Sequence, residues 1–251
     1  MTLTESQIQR YSRQIILREI GGVGQETLSQ STVLVVGAGA LASPLAAYLV
    51  AAGVGHLILM DGDKVELSNL QRQFLHTTQR VGMAKATSAA TALSQLNPEV
   101  KITAVEERLT ADNAPQWLPQ CQVLADATDN FASRYLMNDL ARHYAIPLVS
   151  GAVLAFDGQV TVFRHGMDPK APCYRCLYPQ PPDPAATPTC ATAGVLGPLA
   201  GMIGSLQALE VIKCLLNIGD SLAGNLLLVS GLYGLFHKVT VDKNPHCPAC
   251  C

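Results

Sequence analysis

Charge is scarce in this sequence. Of its 251 residues, 14% are Asp, Glu, Lys or Arg, against about 25% in an average soluble protein. The signs nearly cancel, with 17 basic and 19 acidic residues and a formal net charge of -2. Holding a nucleic-acid backbone requires a basic surplus, so that class of partner is excluded. Low charge combined with 49% hydrophobic residues also excludes a disordered chain. Aromatic residues make up only 5%, and the single Trp117 stands beside Pro115 and Pro119, where it reads as a packing residue. The start, Met1-Thr2-Leu3-Thr4-Glu5, lacks a basic stretch followed by an apolar core. No signal peptide is therefore expected, and a cytoplasmic location makes disulfides rare. The uncharged stretch Ala191 to Leu209 includes Thr192, Pro198, Ser205 and Gln207, so it is expected to line a core or subunit interface rather than span a membrane. So pale a surface implies a covering partner, most simply a second copy.

The apolar residues are strongly patterned. Thr32 to Val36 (TVLVV), His56 to Met60 (HLILM), Val100 to Val105, Val123 to Asp126 and a run from Pro147 read as strands. Helical segments Ala40 to Ala52, Ala84 to Leu96 and one following Asn130 lie between them, which predicts a doubly wound α/β sheet. After Gly151 the pattern changes to hairpin-like strands, beginning with Gly158 to Phe163. Asp168 to Thr189 holds seven of the 15 prolines and reads as a long irregular loop. A helix over Leu199 to Leu216 and strands at Asn225 to Ser230 and Phe236 to Val241 complete the chain. The expected fold is a Rossmann-like, mostly parallel sheet with an antiparallel C-terminal extension and a cysteine knuckle.

Gly37-Ala38-Gly39-Ala40-Leu41-Ala42 matches the G-x-G-x-x-G/A fingerprint between a strand and a helix. Glycines there permit a tight turn and close phosphate approach, and the helix N-terminus offers free N–H groups. Asp61, at the end of the next strand, suits ribose hydroxyls. This pattern alone does not separate NAD from ATP. Asn69 and Arg72 in Ser68 to Gln73 (SNLQRQ), Lys85, and Ala127 to Asn130 (ATDN) all follow strand ends or begin helices at the same sheet edge. Two cations and two acids on one rim suit a triphosphate with magnesium better than a dinucleotide. Cys173-x-x-Cys176 and Cys247-x-x-Cys250 form two pairs, whose spacing suggests a four-thiolate zinc site, with a redox role as the alternative. Cys121 and Cys214 read as core, Cys251 as loose, and none of the six histidines falls in a metal or triad pattern.

Taken together, Arg10 to Gln14 (RYSRQ), Asp61-Gly62-Asp63, SNLQRQ, ATDN, Cys173 to Cys176 (CYRC), Thr189-Cys190 with Ala193 to Val195, and Gly204 to Glu210 (GSLQALE) resemble the MoeB/ThiF/HesA family. These are sulfur-carrier-protein adenylyltransferases, bacterial relatives of ubiquitin-activating enzymes. The resemblance runs from about Arg10 to Cys250. It implies adenylation of the C-terminal glycine of a ubiquitin-like sulfur carrier ending in Gly-Gly, with release of pyrophosphate, for molybdopterin or thiamine biosynthesis. It implies that Gly39 contacts the phosphates, Asp61 the ribose, Arg72 and Lys85 the triphosphate, and Asp129 a magnesium ion. Gly37, Ala40, Asp63, Asn69, Gln73, Thr128 and Asn130 complete the implied nucleotide set. Arg13 matches an arginine that reaches the partner protomer's site in a homodimer. Cys190 matches the cysteine of the step after adenylation. The four paired cysteines would hold structural zinc.

The implied organisation is one adenylation domain, 1–251, with a helical arm over 1–30, a nucleotide-binding core over 31–150, and a carrier-binding, zinc and crossover-loop part over 151–251. No rhodanese segment follows the knuckle, so a separate sulfur donor of the cysteine desulfurase or rhodanese type is expected. The sequence departs from the family at Ala40 and Ala42, where most members carry glycine. If position 40 needed a positive φ or close phosphate approach, nucleotide binding would be weakened.

Overall fold

In a computed structural model describing residues 3–183 and 190–251, with the side chains of Cys190 and Ala191 outside that description, the chain begins with two helices, α1 (Glu5–Ile15) and α2 (Gly21–Gln30). Thr4 caps α1 reciprocally: its Oγ1 accepts the Gln7 N–H, while its own N–H donates to Gln7 Oε1. Tyr11 and Gln14 point inward. Asn97 Nδ2 donates to the Tyr11 hydroxyl at 2.8 Å, and Gln14 Nε2 to the Ala52 carbonyl at 3.1 Å. Gly53, at φ +83°, leaves room for the Tyr11 ring, which a Cβ there would strike at 2.5 Å. These anchors leave Arg13 on the exposed side of α1.

The remaining elements are β1 (Thr32–Val36), α3 (Ala42–Ala51), β2 (His56–Met60), α4 (Lys85–Leu96), β3 (Lys101–Val105), α5 (Ala114–Trp117), β4 (Val123–Asp126), α6 (Phe131–His143), β5 (Leu148–Leu154), β6 (Asp157–Phe163), α7 (Tyr174–Leu177), α8 (Cys190–Ala193), α9 (Gly197–Leu216), β7 (Asn225–Ser230) and β8 (Leu235–Thr240). They build one eight-stranded sheet of order β3-β2-β1-β4-β5-β6-β7-β8. The first five strands are parallel, and β6 to β8 extend the sheet antiparallel. This is the expected Rossmann-like arrangement. The strand order reverses between β1 and β4, whose strands stay parallel, and this is the topological switch where such sheets bind ligands.

Strand alternation explains why both faces are covered. Val33, Val35, Leu57 and Leu59 pack on one side with α3 and α9; Leu34, Val36, Ile58 and Met60 pack on the other with α5 and α6. Each fully buried Leu or Ile contributes roughly 1.5–3 kcal/mol relative to exposure. The uncharged segment expected to line a core or subunit interface falls mostly in α9. This helix is long and apolar enough to cross a membrane by length and composition. Its inner side instead rests on α3, β5 and β6 of its own chain. Gly204 lets it approach α3 so closely that a Cβ would overlap the Leu41 carbonyl. Intrachain packing thus accounts for its inner side, while Met202 and Leu209 face outward.

Candidate nucleotide site and cysteine centre

A cavity of about 300 Å³ opens at the carboxyl edge of β1, β2 and β4. Gly37, Gly39, Ala40, Asp61, Asp63, Gln73, Lys85, Thr128, Asp129 and Asn130 all line it. Gly37 is required by geometry, because its φ is +99° and a Cβ would meet the Ala127 carbonyl oxygen at 2.6 Å. Ala40 does not share this need: it is absent from the non-glycine residues with positive φ, which are Ala145, Ala155 and Asn217. Ala42 is fully buried in the first turn of α3. The two alanines therefore impose no backbone strain, and that ground for weakened nucleotide binding is removed.

The loop's N–H groups are arranged for an anion. Asp61 Oδ2 accepts the Ala38 N–H at 2.7 Å. Gly39, Ala40 and Leu41 donate to no acceptor among the described residues. They sit at the N-terminus of the ten-residue α3, whose dipole favours negative charge. Beside them Lys85 is largely buried at the start of α4, with Nζ 3.3 Å from Asp63 Oδ2. Burial would raise the Asp63 carboxyl, but the Arg108 hydrogen bond at 2.9 Å and the charge of Lys85 outweigh it and hold it below the usual range.

The ATDN segment divides its work. Asn130 caps α6, its Oδ1 accepting the Ser133 N–H at 2.9 Å. Thr128 bonds inward, with Oγ1 2.7 Å from Asp126 Oδ1. Asp129 is left exposed on the cavity wall, with no ion pair among the described residues. An uncommitted carboxylate beside a phosphate-type anion site is the donor chemistry that magnesium takes.

Three expected residues lie off the wall. Arg72 folds back, with Nη1 donating to the Ser68 carbonyl at 2.9 Å. Asn69 is buried and closes its own turn, its Oδ1 accepting the Glu66 N–H. Arg13, on α1, is also absent from the lining. Three residues that no motif singles out also belong to the site. Arg108 and Arg134 both line the cavity. Arg108 follows the end of β3, so the carboxyl-edge rule could have found it; Arg134 lies one helical turn after Asn130. Asp126 is fully buried beneath them, accepting from Thr128 and from Ser150 Oγ at 2.8 Å, with Arg134 Nε 3.6 Å away.

The backbone of α8 starts at Cys190. Close by in the chain, the Ala155 N–H donates to the Gly194 carbonyl at 2.9 Å, and Val195 lines the cavity. The Cys190 thiol lies outside the described side chains.

The four paired cysteines converge at α7, which packs on α6 through Tyr174 and Arg175. Their Sγ atoms all lie within 4.8 Å of one another. The separations are 3.7 Å for Cys173–Cys247, 4.0 Å for Cys173–Cys176 and 3.4 Å for Cys176–Cys250. Tetrahedral zinc with ~2.3 Å bonds separates its sulfurs by about 3.8 Å, so the cluster fits that ion. Burial pushes the Cys173 thiol up to about 11, a shift that a bound cation reverses. Cys251 stays apart, its single S–H within reach of the Asn244 and Pro245 carbonyls at 3.2 and 3.0 Å. Cys121 is buried and Cys214 partly so, as core residues.

Comparison with known proteins agrees with this architecture. A model of the ThiF family matches residues 11–249. A sulfur carrier protein adenylyltransferase of Thermus thermophilus is 50% identical over 252 residues, covering 100% of this chain and 93% of that protein. A SAMP-activating enzyme E1 of Haloferax volcanii is 46% identical, covering 100% of this chain and 91% of the relative. An adenylyltransferase and sulfurtransferase MOCS3 of Culex quinquefasciatus is 47% identical over 99% of this chain, which spans 56% of that longer protein. Among solved structures, Escherichia coli MccB with ATP superposes with a TM-score of 0.81 at 20% identity, over 96% of this chain and 74% of that one. PaaA does so with a TM-score of 0.81 at 22% identity, over 97% and 76%. At such identities the structures attest the fold alone. With the family model spanning nearly the whole sequence and relatives of about half identity covered almost end to end, this chain belongs to the ThiF family.

Proposed function

We propose that this protein adenylates the C-terminal glycine of a ubiquitin-like sulfur carrier, using ATP and releasing pyrophosphate. The observation that carries the reading is the cavity itself: unpartnered N–H groups at the α3 N-terminus face it together with Lys85, Asp61 and Asp129. Relatives bearing adenylyltransferase names over almost all of this sequence support it.

In this mechanism the carrier's carboxylate attacks the α-phosphorus and pyrophosphate leaves. The chemistry needs placement and charge neutralisation more than a covalent protein group. The glycine-loop N–H groups and Lys85 receive phosphate oxygens, and Asp61 takes the ribose with its remaining lone pairs. Arg108 lies beside Asp61-Gly62-Asp63, where it can cover the nucleoside end. Asp129 would hold magnesium, which supplies further neutralisation of the triphosphate when bound. Arg72 turns from Ser68 toward the phosphates once they are present. Arg13 acts on a partner protomer's site, which makes a homodimer the working unit. The full 1–251 length acts as one adenylation domain, the knuckle held by zinc. Cys190 serves the later sulfur-transfer step, with sulfur from a separate donor.

Carrier-dependent exchange of labelled pyrophosphate into ATP tests the reading. Exchange should require a small protein ending in Gly-Gly and should persist in Cys190→Ser.

A further inference from the structure

Three segments distant in sequence build the phosphate end of the cavity: the glycine loop, the turn carrying Asn69 to Gln73, and the start of α4. One side chain joins them. His76 is 4% exposed. Its Nε2 lies 2.9 Å from the Ala38 carbonyl oxygen, and its Nδ1 lies 2.9 Å from Ser88 Oγ on α4. A carbonyl can only accept, so Nε2 carries the proton. Burial lowers the imidazole's pKa, and Lys85 and Arg80 add to this against the pull of the Ala38 carbonyl and Asp61. The ring is therefore neutral, and Nδ1 accepts from the Ser88 hydroxyl. Arg80 completes the junction, its Nη1 donating to the Ser88 carbonyl at 2.9 Å.

The consequence falls on one peptide plane. In a trans peptide the Ala38 C=O and the Gly39 N–H point in opposite directions. With the carbonyl tied to buried His76, the Gly39 N–H is turned away from it, on the side of the cavity that Gly39 lines. Asp61 holds the preceding N–H of Ala38 at 2.7 Å, so the loop is pinned on both sides of Ala38. A flipped plane would present a carbonyl oxygen to the phosphates instead of a donor, and the like partial charges would repel.

We propose that His76 is a positioning residue for phosphate binding, its Nε2–H clamping the Ala38 carbonyl so that the Gly39 amide serves the oligophosphate of a nucleoside triphosphate. It touches no substrate, and the proposal rests on the adenylation reading for the identity of the ligand.

The test is direct titration of the full-length protein with a non-hydrolysable ATP analogue, and with adenosine by competition. The variants are His76→Asn, His76→Gln and Ser88→Ala, each checked by thermal unfolding. Glutamine's amide nitrogen reaches about as far as Nε2 and can donate to the carbonyl, whereas asparagine stops short. His76→Asn should weaken the analogue on the order of tenfold, the scale of one well-placed hydrogen bond, and leave adenosine unchanged. His76→Gln should recover most of that loss. If His76→Asn does not fold, Ser88→Ala, which frees the ring's second anchor, should show a smaller loss with the same selectivity for phosphate. Unchanged analogue affinity in a folded variant, or equal losses for analogue and adenosine, overturns the proposal. A wild-type protein that binds no analogue overturns the adenylation reading, and this proposal with it.

Discussion

Asp61 and Ala38 are joined by a 2.7 Å hydrogen bond from the Ala38 N–H to Oδ2, while the other carboxylate oxygen, Oδ1, accepts the Asp63 N–H at 2.7 Å. One side chain thus shapes both the glycine loop and the turn after β2, and each oxygen keeps a lone pair for a ribose hydroxyl. Asp61→Asn would set an amide donor against one of these N–H groups. The expected result is an ATP affinity lowered by roughly ten- to a hundredfold, with about 1–2 kcal/mol lost in stability. Calorimetric titration and denaturant unfolding measure the two effects. Weakened ATP binding at unchanged stability would show that Asp61 serves the ligand and not the loop.

Arg13 protrudes from α1, whose inner side is fixed by Tyr11 and Gln14. If it completes a neighbour's site, Arg13→Ala and Asp129→Asn are each inactive as homodimers, yet their mixture regains activity, because one site in each mixed dimer has both residues. Pyrophosphate exchange on co-refolded or co-expressed variants reads this out. Failure of the mixture to exceed either parent would place Arg13 in its own protomer's chemistry or outside it.

The cysteine centre makes a separate forecast. Purified protein should contain one zinc per chain, and Cys176→Ser should lose it. Removing the metal should lower Tm by roughly 10 °C, since a protein of this size shifts about 2–4 °C per kcal/mol. Cys251→Ser should leave zinc content unchanged, as its thiol lies within reach of the Asn244 and Pro245 carbonyls rather than joining the cluster. Metal analysis together with thermal scanning decides both.

Ala40 differs from the glycine common in this family, but its backbone lies outside the positive-φ region. Only the methyl group's proximity to phosphate remains as a cost. Ala40→Gly should therefore improve ATP affinity by less than about fivefold, under the 1 kcal/mol that removes backbone strain at most such sites. A gain of a hundredfold would mean that the loop must adopt a different shape around the nucleotide.

Much of this site was legible because the sheet makes it so. TVLVV followed by GAGA reads as a buried strand entering an anion-binding turn, and the edge rule brings Asp61, Lys85 and Asp129 to the same rim. The two CxxC pairs announce their convergence through thiol chemistry, although sequence spacing alone cannot bring Cys173 to Cys247. Other features depend on tertiary contacts that no periodicity encodes. Arg72 sits in the right motif, yet its side chain turns back to Ser68. His76 shows no motif at all, and only packing brings its ring under Ala38. The uncharged stretch after Cys190 is ambiguous in sequence because core and interface helices share one composition; Gly204 seats the inner side of α9 against the chain's own core, while Met202 and Leu209 stay exposed.

The most direct measurement of the central claim is ATP–pyrophosphate exchange by the purified wild-type protein, with and without a small carrier ending in Gly-Gly. The account predicts exchange that requires both magnesium and the carrier, and that is lost when the carrier's terminal glycine is removed. Exchange that is absent with every such carrier, or equally fast without one, would contradict it.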